Sequence, residues 1–265
     1  MNHFKDKYGE YALVTGASSG IGKEFAVQLA SKGLNLVLVA RRNSKLEDLA
    51  LHLAVQFGTK VKIIAVDLLS AGALDMIKKE TDGLSVGLVV LNAGMEVHGK
   101  FLSNNLNDEK AVLRLNAEVP MELAHALASN MLTQKRGGII FVSSTFGHQA
   151  VPFFANYAAS KAYVLALGQA LNYELKMSGI DVMVLSPGLT KTEMVENMGD
   201  IDFKKMPITE MEVTPVVRKA LGSLGKRQVV IPGGRNIFMD AMGKYTTPRW
   251  ALTNMFGFLV SRAMK

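Results

Sequence analysis

Seven short apolar runs, separated by longer stretches of helical character, constrain the fold of this chain more than any other feature. They cover residues 11–15, 34–40, 61–66, 86–92, 138–143, 180–186 and 228–231, and are rich in Val, Ile and Leu. Most are continuous rather than alternating. A strand that is wet on one face alternates apolar with polar residues, whereas a continuous run marks a parallel strand covered on both faces. Parallel neighbours cannot be joined by tight turns, so the intervening segments read as helices in right-handed crossovers. The expectation is an α/β fold with a doubly wound, parallel seven-stranded sheet and helices on both faces. With 265 residues, 49% of them hydrophobic, the chain can bury one substantial core, and residues 1–265 are read as one domain.

Local signals place several helix ends. Ser44 followed by Glu47 is a capping box and predicts a helix from Lys45. Thr214 and Pro215 read as an N-cap and first helical residue, with Gly225 as the stop. Thr247 and Pro248 repeat the start signal near the C-terminus. Asn116 and Pro120 fall in a helical stretch over 108–132. Proline has no N–H, so Pro120 cannot donate to the carbonyl of Asn116 four residues back. Either that carbonyl is kept for water or another donor, or the proline simply kinks the helix. The chain contains no internal repeat, low-complexity tract or interdomain linker.

The first run leads into Thr15-Gly16-Ala17-Ser18-Ser19-Gly20-Ile21-Gly22, and a helical pattern follows at 23–31. Glycines at such a turn let the backbone approach a pyrophosphate and pack helix on strand, while the helix N-terminus offers free N–H groups. A glycine-rich turn without a ligand is the plainer reading, and the strand–turn–helix context favours a Rossmann dinucleotide site. The second run ends at Ala40, followed by Arg41 and Arg42. An acid at that place bonds a ribose 2′-hydroxyl, whereas a guanidinium grips a 2′-phosphate through paired hydrogen bonds. Arg41 therefore points to NADP(H), with ordinary surface charge as the alternative.

Tyr157 and Lys161 stand at i and i+4, on one face of a helix. A free tyrosine keeps its proton to about pH 10, and a nearby ammonium lowers that value by stabilising the phenolate. Such pairs occur by chance on helix surfaces. Here Ser143 and Ser144 end a buried strand, so a hydroxyl stands at the carboxyl edge of the sheet, where open α/β sheets bind ligands. Ser144, Tyr157 and Lys161 are thus candidates for moving a proton while a hydride passes between a nicotinamide and a carbonyl or alcohol.

Taken together, Thr15-Gly16-x-x-x-Gly20-x-Gly22, Asn92-Ala93-Gly94, Asn116, Ser144, Tyr157-x-x-x-Lys161 and Pro187-Gly188 resemble the short-chain dehydrogenase/reductase family over most of residues 8–232. The glycine spacing and chain length are similar to the compact single-domain branch rather than the longer epimerase branch. Within the family, the first half looks most like bacterial 3-ketoacyl and hydroxysteroid reductases. The resemblance implies that Tyr157 donates the proton in reduction, Lys161 tunes it and binds the nicotinamide ribose, and Ser144 holds the substrate oxygen. It implies that the Asn116 carbonyl holds a water in a relay to Lys161. It places Asp67 and Leu68 at the adenine and has Asn92 line the cofactor and support the sheet. It brings the 187–192 segment, including Thr190 and Thr192, to the carboxamide. It marks 189–214 as a segment covering the substrate, in which Met194, Met198 and Met206 form an apolar lid or pack ordinarily. A homodimer or homotetramer, paired through long helices near 108–132 and 157–178, is also implied.

Other residues point elsewhere. The chain has no cysteine, which excludes disulfides, thiol catalysis and cysteine-bound metals. His98 and His148 show no carboxylate or histidine at ligand spacing, so no metal site is expected and both read as bystanders. Glu96 faces either the cleft or solvent. The N-terminus lacks a secretory apolar core, and no apolar run approaches a membrane span, so a cytoplasmic location is expected. Much of the net charge of +7 lies from Lys226 onward, in Lys226, Arg227, Arg235, Lys244, Arg249, Arg262 and Lys265 against Asp240. Nucleic-acid binding has only this basic tail behind it, without a recognition motif, and is not expected. Within the 233–265 extension, Trp250, Leu252, Met255, Phe256, Leu259 and Ala263 approximate one helical stripe. That stripe packs on the chain's own core or a partner subunit, or rests peripherally on an anionic membrane. A cofactor-bound sensor or scaffold is the alternative to an enzyme, and the intact Ser144, Tyr157 and Lys161 set argues against it.

Overall fold

The computed structural model of the protein describes residues 3–264, so Lys265 of the basic tail lies outside it. Seven parallel strands form one sheet: β1 Tyr11–Thr15, β2 Asn35–Ala40, β3 Val61–Ala65, β4 Val86–Leu91, β5 Gly137–Val142, β6 Ile180–Leu185 and β7 Val229–Val230. Their order is β3-β2-β1-β4-β5-β6-β7. The chain winds outward from β1 to β3, then returns to add β4 on the other side of β1. That reversal opens a crevice beyond the carboxyl ends of β1 and β4, where ligands bind in open α/β sheets.

Successive strand residues point to opposite faces, and the apolar clusters follow that alternation. Ala12, Val14, Leu36 and Leu38 pack on one face with Phe25 and Leu29 of α2 (Gly20–Ser31), Leu46 and Leu53 of α3 (Asn43–Phe57), and Val217 of α9 (Val213–Ser223), which follows the single-turn α8 (Glu193–Glu196). Leu13, Val37 and Val39 pack on the other face with Ile77 of α4 (Ala73–Thr81), Leu123 of α6 (Val119–Gln134) and Val164 of α7 (Ala155–Lys176). Both faces are covered, as the continuous apolar runs require.

Several expected boundaries move. Helix α3 starts at Asn43, not Lys45, and the Asn43 amide donates to Glu47 at 2.7 Å, taking the carboxylate assigned to Ser44. Helix α9 starts at Val213, so Pro215 is its third residue; its missing N–H still falls in the first turn, where no intrahelical partner exists. Pro248 is the N-cap of α11 (Arg249–Ala263) rather than its first residue. The 108–132 stretch is not one helix. It comprises α5 (Leu106–Leu113), a π turn at Arg114–Glu118 and α6, whose second residue is Pro120.

A short helix α1 (His3–Tyr8) precedes β1 and was not anticipated. Its Tyr8 is buried, and the phenol donates to Asp181 Oδ2 at 2.7 Å. Lys7 meets the same oxygen at 2.6 Å. Burial first, then the Asp181 hydrogen bond and charge, push the Tyr8 phenol far up.

The C-terminal extension forms α10 (Gly234–Tyr245) and α11. Leu252, Phe256, Val260 and Ala263 bury one line of α11 against Val151, Phe154 and Ala158 and against Met198, Ile201 and Met206 of the 189–214 segment. Most of the expected stripe therefore packs on the chain itself. Trp250 departs from it at 71% exposed, because two residues from Leu252 on a helix is nearly the opposite face. Among the described residues, no helix is long and apolar enough to cross a membrane.

Candidate active site

The glycine turn lies at the carboxyl end of β1. Gly16 adopts φ +65°, a left-handed conformation that disfavours a side chain. A Cβ on Gly22 would stand 2.3 Å from the Gly16 carbonyl oxygen, so helix and turn meet there only because glycine is small. Asn92 braces the turn: its amide donates to Thr15 O at 3.0 Å, and the Asn92 and Ala93 N–H groups both donate to Thr15 Oγ1 at 3.0 Å. Ser19 precedes α2 without capping it through its side chain, which leaves the first-turn N–H groups beside Gly20 and Ile21 available to an anion. A glycine cradle with an uncapped helix start fits a dinucleotide pyrophosphate.

The two arginines after β2 differ. Arg42 Nη2 donates to Ser18 Oγ at 2.9 Å and to Ser19 Oγ at 2.8 Å, while its Nη1 reaches Glu193 Oε2 at 2.6 Å. Lys45 also bonds Glu193. These two hydrogen bonds, Lys45 then Arg42, hold the Glu193 carboxyl down to about 2. Arg41 is exposed, with Nη1 3.9 Å from Asp67 Oδ2. Arg42, rather than Arg41, is thus seated on the glycine turn. Asp67 itself accepts from the Leu69 N–H at 3.0 Å, and Leu68 beside it is buried, three residues past the end of β3.

Beyond β5, Ser144 N-caps a single 3-10 turn, Thr145–His148, and accepts from the Phe146 N–H at 3.1 Å. Ser143 donates to the Lys161 carbonyl at 2.7 Å and so ties β5 to α7. Tyr157 lies in the first turn of α7 among Phe146 and Phe154, with ring centroids 6.4 and 6.3 Å away. Lys161 is 5% exposed; its Nζ donates to Val142 O at 3.0 Å and stands 5.7 Å from the centre of the Tyr157 ring. Asn116 is fixed through its side chain, which accepts from the Met95 N–H at 3.0 Å and donates to Met95 O at 2.8 Å and Ser160 Oγ at 3.0 Å. A Cβ on Gly94 would lie 3.1 Å from Asn116 Oδ1 and 3.2 Å from Lys161 Nζ, so these three residues converge.

The expected lowering of the tyrosine is not met. Burial pushes the Tyr157 phenol up to about 12, against a Ser144 hydrogen bond that favours the phenolate, and the Glu96 charge adds to the rise. The lysine ammonium stands near the ring and donates to the Val142 carbonyl. Burial also takes the Lys161 amine down to about 8.

On the far side of β6, Pro187 is buried and Gly188 stands against Asn236 of α10. Thr190 donates to Gly188 O at 2.9 Å, and the Thr192 methyl would touch a Cβ on Gly20 at 2.9 Å, which brings this segment onto the glycine turn.

Both histidines are held by carboxylates. His98 lies between Glu96, at 2.9 Å from Nδ1, and Asp200, at 2.9 Å from Nε2. His148 Nδ1 meets Asp240 of α10 at 2.6 Å, and its buried Nε2 has no partner among the described residues. Glu96 faces inward. The Glu96-x-His98 pairing was readable in the chain. Asp200 and Asp240 were not, because the fold alone brings them close.

A parallel sheet with this switch point, a glycine turn at β1 and Ser144, Tyr157 and Lys161 gathered beyond β5 define a class: the chain belongs to the short-chain dehydrogenase family, whose model matches residues 10–201. It is 30% identical over 236 residues to a 7β-hydroxysteroid dehydrogenase from Collinsella aerofaciens, covering 88% of this chain and 90% of that one. It is 35% identical over 257 residues to a very-long-chain 3-oxoacyl-CoA reductase from Phaeosphaeria nodorum, covering 95% and 71%. A solved short-chain dehydrogenase from Sphingobium yanoikuyae in complex with NADPH superposes with a TM-score of 0.80 at 33% identity, covering 89% and 93%. The family and these relatives make the chain an oxidoreductase of the CH–OH/C=O kind.

Proposed function

We propose that the chain is an NADP(H)-dependent reductase of bulky, apolar ketones, with Tyr157 as general acid. The convergence of Ser144, Tyr157 and Lys161 beside the glycine turn carries this reading. Gly16–Gly22 and Arg42 would hold NADPH, which would supply the hydride. The Ser144 hydroxyl holds the substrate oxygen, and Tyr157 delivers its proton there. Lys161, with Asn116 beside it, passes a replacement proton and binds the nicotinamide ribose. Asn92, Ala93, Gly94 and the Pro187–Thr192 segment complete the cofactor wall. The Sphingobium relative's NADPH complex supports the cofactor choice. The relatives' steroid and long-chain acyl substrates, with Phe146, Leu252, Met255 and Phe256 lining a cleft next to Ser144, support the substrate class.

A phenol at about 12 keeps its proton across the neutral range. Reduction is therefore expected to run well at neutral pH, and alcohol oxidation, which needs the phenolate, to quicken as pH rises. The test is NADPH absorbance over a panel of ketones graded in length and bulk. Tyr157→Phe is expected to lose about 10²–10⁴-fold in kcat while binding NADPH almost normally. Wild-type turnover in that variant would remove Tyr157 as the acid. A homodimer or homotetramer through α5–α6 and α7 also belongs to this reading, supported by Leu113, Met121, Tyr163 and Tyr173 standing exposed on those helices.

A further inference from the structure

The row Glu96, His98, Asp200 joins two parts of the chain that meet over the candidate site. Glu96 and His98 belong to the loop that follows β4 and Asn92-Ala93-Gly94. Asp200 belongs to the 189–214 segment, 102 residues further on. His98 Nδ1 is 2.9 Å from Glu96 Oε2, and His98 Nε2 is 2.9 and 3.0 Å from the two oxygens of Asp200. A neutral imidazole has one N–H and one lone pair, and an ionised carboxylate offers only lone pairs. Two carboxylate contacts at hydrogen-bond length, one on each ring nitrogen, therefore require one further proton in the row. With it, both contacts are bonds; without it, a ring lone pair faces a carboxylate lone pair.

We propose that Glu96, His98 and Asp200 form a proton-dependent latch that holds the 189–214 segment closed over the substrate. The three are positioning residues for the reaction. This rests on the reading of Ser144 and Tyr157 as the reacting site.

The surroundings fit a latch. The charged groups facing the imidazole are Glu96 on its own loop and Asp200 on the far segment. From the helix side it meets the Phe154 ring at 5.4 Å, and Phe154 in turn meets Tyr157 at 6.3 Å. Next to Asp200, Ile201 is bridged to Met264, and the Asp202 N–H donates to Ala263 O at 2.8 Å. Residues 201 and 202 thus sew the segment to the end of α11, and the latch adds a second tie from the adjacent Asp200 to the loop after β4. Burial raises the Glu96 carboxyl despite the opposing pull of His98. Burial alone would lower His98, but its bonds to the two carboxylates outweigh this and raise it. Both directions favour keeping the extra proton near neutrality. The Glu96 charge also acts on Tyr157, so the latch and the proposed acid share a field.

The test is amide hydrogen exchange of the full-length protein without substrate, between about pH 6 and 9, corrected for intrinsic rates and referenced to α2. Exchange over 196–206 is expected to rise about tenfold or more as the proton leaves, since one charge-assisted bond is lost. Asp200→Asn can pair with a neutral ring, so it should flatten that dependence, and His98→Gln should do the same. Both variants are expected to raise KM several-fold with kcat little changed, and to lose the matching limb of the kcat/KM profile against pH. Protection over 196–206 that ignores pH in the wild type, or keeps its full pH dependence in His98→Gln, overturns the latch. Exchange does not depend on turnover. An active Tyr157→Phe would remove the reaction reading and leave this measurement standing, and a flat exchange profile with an inactive Tyr157→Phe would remove the latch alone.

Discussion

Arg42 directs its guanidinium at Ser18, Ser19 and Glu193, which places a carboxylate where a ribose phosphate is expected to arrive. Glu193 and a 2′-phosphate would compete for the same cations. Arg42→Ala is expected to weaken NADPH binding by about 1.5–3 kcal/mol, the range for a hydrogen bond to a charged group, and to leave NADH less affected. Arg41 is free to swing from its distant contact with Asp67 to the same phosphate, so the double variant should lose most. Glu193→Gln should instead tighten NADPH several-fold. Fluorescence titration of both cofactors checks the set, and equal loss for NADH and NADPH in Arg42→Ala would remove the phosphate role. Lys161 gives a second residue-scale expectation. Its amine falls from 10.5 to about 8 on folding, so below about 8 it is protonated in both states and the folded state carries the burial cost. That cost fades as pH rises toward 10.5, where the unfolded chain also loses the proton. Lys161→Met should therefore stabilise the fold at pH 7, and so raise Tm, by a margin on the order of 1–3 kcal/mol at its largest that shrinks with rising pH, while turnover is lost. Thermal melts across that range would show a margin independent of pH if the burial argument is wrong.

At the scale of elements, the exposed apolar residues of α5, α6 and α7 call for a cover. Tyr163 of α7 lies beside Met121 of α6, its hydroxyl 3.0 Å from the sulfur, and Leu113 and Tyr173 extend the patch. If these helices pair as proposed, introducing a charge with Tyr163→Glu is expected to convert the proposed homo-oligomer to monomers in light scattering at micromolar concentration; an unchanged mass would place the contact elsewhere. Strands were legible because a parallel strand buried on both faces must be apolar throughout, which a run such as 86–91 states openly. Helix starts were less so. Asn43, Ser44 and Glu47 allow two caps, and only the structure shows that Asn43 takes the glutamate. Helix α1 was invisible, since in HFKDKY the burial of Tyr8 depends on Asp181, far along the chain. The site divides in the same way. Ser144 and the glycine turn follow from their places at strand ends, and Tyr157 and Lys161 from their i, i+4 spacing on one helix. The Asp200 contact, the choice of Arg42 over Arg41 and the turn of Trp250 toward solvent depend on tertiary placement or on helix phase near an uncertain start, which spacing alone does not encode.

In the whole molecule, two apolar layers hold the sheet and a third cluster joins the 189–214 segment to α11, so that segment and the chain's end share one packing unit. Gly87 fits beneath α1: a Cβ there would overlap the Tyr8 carbonyl oxygen, so the helix lies directly on β4. The Tyr8–Asp181 bond then has a consequence for synthesis. Its partners are separated by 173 residues. At about 5–20 residues per second, a ribosome exposes Tyr8 roughly 9 to 35 s before Asp181 exists. During that interval the first strands can assemble around α1, but the phenol has no carboxylate to meet. A nascent chain stopped before β6 would keep either a wet, undocked α1 or a buried hydroxyl without its partner, and the N-terminal turn is fastened only when the sixth strand arrives.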